Sequence, residues 1–175
     1  MTKYTNYMNK LKYILTITAL TAALTLSARA SFVVDDNPSQ FLSNDMAHHD
    51  VSDFDSSVGA NTVHIHSNMG NMNSGAGFAT IKPLRGGTLT DVIFTPADNT
   101  AFSDFSFRGQ LTEAGMGMVM LMVTDSLGNV TMEMFMGLGA NQDFARQGII
   151  SLDGSTIQSI ELMSNFKEIK LIEAD

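Results

Sequence analysis

Seven methionines mark out one short stretch of the chain. Met116, Met118, Met120 and Met122 share one parity, and Met132, Met134 and Met136 share one parity a few residues on. In an extended strand alternate residues point to the same side, so each set lines one face. Between the sets, Asp125-Ser126-Leu127-Gly128-Asn129 is turn chemistry. A hairpin centred on Leu127 puts Met122 opposite Met132, Met120 opposite Met134 and Met118 opposite Met136. All seven thioethers then share a face, and Val119, Leu121, Val123 and Phe135 fill the other, interrupted by Gly117 and Glu133. Three uses fit such a face: packing inside a core, where methionine fills irregular gaps; an adaptable apolar surface for a partner; and soft-metal ligation, Cu(I) above all. Seven thioethers exceed what one metal site needs.

The histidines form a second cluster. His48, His49, His64 and His66 fall within nineteen residues, with Met69 and Met72 just downstream. His64 and His66 flank Ile65 and project from one face of a strand. They form a two-nitrogen clamp for Zn or Cu, which His48, His49 or Met69 can complete. The other reading is a solvated surface pair. Met69 and Met72 sit in Asn68-Met69-Gly70-Asn71-Met72-Asn73-Ser74-Gly75, a turn-like stretch where apolar residues lack a packing reason, so both are candidate thioether ligands for copper beside the histidines. Asp50, Asp53 and Asp55 form a third set: alternate carboxylates in a loop suit calcium, or they belong to a solvated acidic segment.

No catalytic constellation stands out. There is no Gly-x-Ser-x-Gly elbow, and Asp104, Glu113, Glu133 and Asp143 are unmarked as an acid/base pair. There is no cysteine, which removes disulfides, thiolate metal sites and cysteine nucleophiles. There is no tryptophan, and the three tyrosines are Tyr4, Tyr7 and Tyr13. Beyond residue 30 only phenylalanine can offer a broad ring to a sugar. Phe102, Phe105 and Phe107, alternating with Ser and Arg, read as core.

Residues 1–30 read as an export signal. Lys3, Lys10 and Lys12 precede an apolar run from Tyr13 to Leu26, and Ala28-Arg29-Ala30 is a small-x-small cleavage pattern. An uncleaved anchor is the alternative, but the run is short for a bilayer span. Without residues 1–30, six Lys and Arg face eighteen Asp and Glu, a formal balance of −12. Such a surface repels nucleic acid and anionic lipid. No second apolar run reaches membrane-spanning length and no C-terminal sorting tail is read, so the mature form is not expected to span a membrane. The expected partners are a protein or polysaccharide of the envelope or matrix, or a second copy of the chain.

The elements that must position these residues are strands. Residues 31–60 read as an acidic polar lead-in, with Phe32-Val33-Val34 able to pair as an edge strand. Residues 61–175 read as one domain. Thr62 to His66, Phe78 to Pro83, Leu89 to Thr95, Phe102 to Leu111, Met116 to Thr124, Val130 to Met136, Gly148 to Leu152, Ile157 to Met163 and Phe166 to Ile172 are the expected strands. Eight or nine short strands with no convincing helix predict an all-β, antiparallel β-sandwich of jelly-roll type.

Several segments carry a family resemblance. They are Gly77-Phe78-Ala79-Thr80-Ile81-Lys82-Pro83, Phe94-Thr95-Pro96-Ala97-Asp98, Phe105-Ser106-Phe107-Arg108-Gly109-Gln110, Val123-Thr124-Asp125 and Asp143-Phe144. Gly148-Ile149-Ile150-Ser151-Leu152-Asp153-Gly154, Ile157-Gln158-Ser159-Ile160 and Phe166-Lys167-Glu168-Ile169-Lys170 continue the set. Over about 61–172 the chain resembles the galactose-binding or lectin-like jelly-roll domain of exported bacterial surface and matrix proteins. The resemblance implies a β-sandwich and brings no catalytic residues. The expected role is therefore non-catalytic: an exported sandwich that acts by binding or assembly at the envelope or matrix. The alternative is a periplasmic metal-binding protein using methionine and histidine.

Export has a direct test. The mature protein is expected to begin at Ser31, because Ala28 and Ala30 occupy the small-residue positions. N-terminal sequencing of exported protein that still finds residues 1–12 would overturn it.

Overall fold

The computed structural model describes residues 32–34, 40–97, 100–112, 117–138 and 146–174. The expected signal, Met116, Glu113 and Asp143 lie outside the described residues. Fourteen strands run in chain order: β1 (Phe32–Val34), β2 (Ser43–Asn44), β3 (His48–Val51), β4 (Asp53–Val58), β5 (Asn61–His66), β6 (Met72–Ser74) and β7 (Gly77–Phe78). They continue with β8 (Thr80–Pro83), β9 (Leu89–Pro96), β10 (Asp104–Leu111), β11 (Gly117–Asp125), β12 (Val130–Leu138), β13 (Arg146–Ser151) and β14 (Ile157–Ala174). Among the described residues the one helical element is a 3-10 turn at Leu84–Gly86, and no helix is long and apolar enough to cross a membrane.

All pairings are antiparallel, and β14 joins two layers. Its first half pairs with β11 and β9, giving the order β12-β11-β14-β9-β5-β4-β2-β7. Its second half pairs with β10 and β8, giving β1-β13-β10-β14-β8-β6-β3. The layers face each other across phenylalanines. The Phe94 ring lies 5.1 Å from Phe105, and Phe107 lies 6.1 Å from Phe135 and 6.4 Å from Phe166. Aromatic rings at such spacings pack edge-on or tilted, and they fill the space between two sheets. Gly109 has a packing reason here, since a Cβ would come within 3.1 Å of the Phe166 ring.

The fold is the expected all-β antiparallel sandwich, with more strands than expected. Residues 31–60 read as an acidic polar lead-in, but from Ser43 onward this stretch forms β2, β3 and β4. Phe54, Ser56 and Val58 alternate inward while Asp53 and Asp55 point outward. An inward serine breaks the apolar alternation and hides the strand. The stretch from Asn68 to Gly75, read as a turn, contains β6, and Met72 in it is fully buried. The two strands expected at Ile157 to Met163 and Phe166 to Ile172 are one continuous strand of 18 residues.

Candidate functional site

The expected methionine hairpin forms in the expected register. Met122 pairs with Met132, Met120 with Met134 and Met118 with Met136. Val119, Leu121, Val123 and Phe135 face the core. The methionine side is the outer face of the sandwich: Met118 is 50% exposed, Met132 64%, Met134 65% and Met136 60%, while Met120 and Met122, flanked by strands on both sides, are half-buried. The packing alternative therefore fails for this face. Met116 lies outside the described residues.

Tertiary pairing adds a methionine that the hairpin does not contain. β14 lies beside β11 with Met163 opposite Met120 and Glu161 opposite Met122. Met134, Met120 and Met163 thus form a row across three neighbouring strands. The row continues to Asp91 on β9. The Asp91 carboxylate accepts the backbone N–H of Asn68 at 2.9 Å and of Met69 at 3.1 Å, and the Ser67 hydroxyl at 3.2 Å. It anchors the turn that carries Met69, which is 72% exposed.

The histidines share this outer face but not this site. His66 is opposite Ile93, and Ile93 is opposite Glu161, which is opposite Met122. Three inter-strand spacings, about 14 Å, separate the His66 and Met122 positions. Ligand bonds to Zn or Cu are near 2 Å, so the two groups do not converge on one ion. His64 and His66 project from one side of β5 as expected, but each has its own partner. His64 Nδ1 lies 2.6 Å from Asp55 Oδ1, and His66 Nε2 lies 2.9 Å from Asn68 Oδ1. His48 stacks on Phe54 with ring centroids 4.6 Å apart, and His49 is exposed. Met72, expected as a ligand beside them, is a core residue because its strand turns it inward.

The expected calcium set is also dispersed. Asp53 and Asp55 lie on the regular strand β4 and Asp50 at the irregular pairing of β3 with β6, not in one loop. Asp50 Oδ1 accepts from Asn71 Nδ2 at 2.7 Å, Asp53 Oδ1 from Ser52 at 3.1 Å, and Asp55 faces His64. Among the described residues no group of three or more His, Cys, Asp or Glu is placed to hold a metal ion. A groove of about 270 Å³ opens beside this ladder, lined by Asp45, Met46, His48 and Asp55 among others. Its lining offers hydrogen-bonding groups and no Trp or Tyr. Of the unmarked carboxylates, Asp104 and Glu133 lie on β10 and β12, in opposite layers.

The methionine register depends on one carboxylate. Asp125 Oδ1 accepts the backbone N–H groups of Leu127 and Asn129, each at 2.8 Å, and its Oδ2 accepts Asn129 Nδ2 at 2.8 Å. Gly128 takes the positive φ of 82° that the turn requires. Desolvation pushes the Asp125 carboxyl up. The hydrogen bonds from the Asn129 side chain and from the backbone of Asn129, Leu127 and Gly128 outweigh it and hold the carboxyl below its usual range.

No protein-family model matches the chain. No curated protein matches it. Among solved structures it is similar to a family 29 carbohydrate-binding module, in a variant complexed with mannohexaose. The identity is 12%, covering 84% of this chain and 90% of that one, at a TM-score of 0.31. A second structure of a family 29 module gives 13% identity over 84% and 90% of the two chains, at 0.28. Overlays this loose transfer neither a site nor a ligand.

The Asp125 turn yields a pH test. A carboxyl whose folded pKa is depressed contributes stability above its unfolded value, about 3.9. That contribution is lost as the pH falls through the lower folded value. Urea unfolding from pH 7 downward is expected to show that Asp125→Ala is less stable than wild type at neutral pH by about 1–3 kcal/mol. The gap should narrow below pH 4. A gap that stays constant down to acid would show that the ionised carboxylate does not hold the turn.

Proposed function

We propose that this protein is a non-catalytic binding or assembly module, exported to the cell envelope or extracellular matrix, that works through its methionine face. The observation that carries this reading is the exposure of Met118, Met132, Met134 and Met136 on the outer face of a sandwich whose core is already complete without them. An outward sheet face is ordinarily polar. Fully burying a methionine stabilises by roughly 1.5–3 kcal/mol, so four methionines at half exposure or more leave a large apolar gain for whatever covers them. Unbranched, polarizable side chains also adapt to a partner's contour. Replacing Met132 and Met134 by Gln is expected to change stability by no more than about 0.5 kcal/mol. It should also abolish co-sedimentation of the protein with isolated envelope and matrix material. Strong destabilisation with co-sedimentation intact would reverse the reading.

One observation favours a second reading, copper binding. Met134, Met120 and Met163 stand side by side on three strands, and thioethers are soft ligands that select Cu(I). The metal would then sit on the methionine row rather than at His64 and His66. The double variant Met120→Leu, Met163→Leu keeps side-chain volume and is expected to weaken Cu(I) binding at least tenfold in a competition titration. Wild-type protein that takes up no Cu(I) ends this reading.

A further inference from the structure

Among the described residues β12 is the longest strand with a free edge. Four strands are paired on one side only among the described residues: β1, β3, β7 and β12. The first three have three, four and two residues, and β12 has nine. Natural sheets protect long edges with lysine, proline, bulges or inward charges, because a free edge templates pairing with another chain. β12 runs Val130-Thr131-Met132-Glu133-Met134-Phe135-Met136-Gly137-Leu138, with no lysine and no proline. Its protection is slight: one inward-parity charge, Glu133, and one register shift confined to the Gly137 end. Its register against β11 is unbroken from Met118↔Met136 to Thr124↔Val130. Among the described residues no strand pairs with its outer side, so its outward main-chain N–H and C=O groups face a place for a new ladder.

We propose that a second copy of the chain pairs with this edge, β12 against β12, antiparallel about a two-fold axis. The proposal rests on the reading of the methionine face as a contact surface, and it names the partner. An isologous contact needs a self-complementary patch, and the parity of β12 supplies one. Antiparallel pairing about a two-fold axis always sets even residue numbers opposite even ones. The ladder of Met132, Met134 and Met136 therefore meets the same ladder on the outer face. Centring the pair on Met134 sets Glu133 opposite Phe135 of the second copy and keeps the two carboxylates from facing each other. Net charge argues for the same place. Without residues 1–30 the formal balance is −12, so two exported copies repel each other over most of their surfaces. A nine-residue strand with one carboxylate adds little to that repulsion. Main-chain bonds of an added strand supply affinity. Lateral packing of the methionine ladders widens the contact toward the roughly 800 Å² per partner of a stable interface.

The absence of cysteine makes the test clean, since any introduced thiol is the only one. Protein purified from the exported fraction is expected to show a concentration-dependent dimer in sedimentation velocity. Met134→Lys should weaken dimerisation at least tenfold, and Met134→Leu should preserve it. Circular dichroism of both variants confirms that the strands persist. Under mild oxidation with diamide, at least one of Met132→Cys, Met134→Cys and Met136→Cys should give a covalent dimer. Met122→Cys, one strand in from the edge, should not. Cross-linking by Met122→Cys alone would place the copies face to face. It would overturn edge pairing and leave the methionine face as a contact surface. A monomer at every concentration, with wild-type co-sedimentation with envelope or matrix material, would overturn self-pairing and again spare the broader reading. A monomer whose Met132→Gln, Met134→Gln variant co-sediments as wild type does would remove both.

Discussion

The structure depends on the course of β14. Its 18 residues belong to both layers, and the register breaks along it turn it from one sheet into the other. Breaks fall between Thr124 and Asp125 against β11 and between Met163 and Phe166 against β9. Two more fall against β10, between Gln110 and Leu111 and between Ser106 and Arg108. Each bulge adds a residue on one side, bends the strand and increases its twist. The inward side chains record this: Ile157, Ile160, Leu162, Phe166, Ile169 and Ile172 are fully buried, at steps of two, three and four rather than a constant two. A strict alternation would have turned some of these residues to solvent. Phe166 sits where the two halves meet, against Phe107 of the opposite layer and over Gly109.

The same strand makes the methionine face a surface rather than a hairpin with two edges. With β14 on one side of β11, the hairpin becomes the end of an eight-strand layer, and Met120 and Met122 become central. Ser164 reinforces the junction, its hydroxyl donating to the Met118 carbonyl at 2.6 Å. Turn, parity and layer act together. Asp125 sets the register, the register sets parity, and the inward set of Val119, Leu121 and Val123 commits the methionines to the outside. A slip of one residue would exchange the two faces and expose the core set. Burial of one face therefore holds the other in place.

Much of this was legible in the chain. The hairpin pairs from Met118↔Met136 to Met122↔Met132 follow from parity and a turn, because hairpin register is a local property. The strand class follows from period-two spacing. Other parts were not legible, for physical reasons that differ. β4 was hidden because Ser56 occupies an inward position and hydrogen-bonds to Asn44, so its burial leaves no apolar signature. Met72 reads as a surface ligand because its neighbours are Asn, Gly and Ser. Whether a methionine among polar residues packs inward depends on which strand lies across from it. β14 was split in two because its bulges erase the period. Met163 carried the signal of parity with Glu161, yet nothing local says that β14 lies beside β11.

By itself, then, the sequence determined the antiparallel β class, the hairpin and its register, and the sharing of one face by Met118, Met120, Met122, Met132, Met134 and Met136. These are consequences of short-range geometry, where side-chain alternation and turn chemistry act within a few residues. Only the tertiary structure decided which way that face points and that Met163 joins it. It also decided that His66 lies three strands away from Met122, that Met72 is core, and that β12 is left, among the described residues, as the long free edge. Those outcomes depend on which strands become neighbours. Neighbour choice is set by burial summed over both layers, with Phe94, Phe105, Phe107, Phe135 and Phe166 closing one core from four strands. No window of sequence contains that sum.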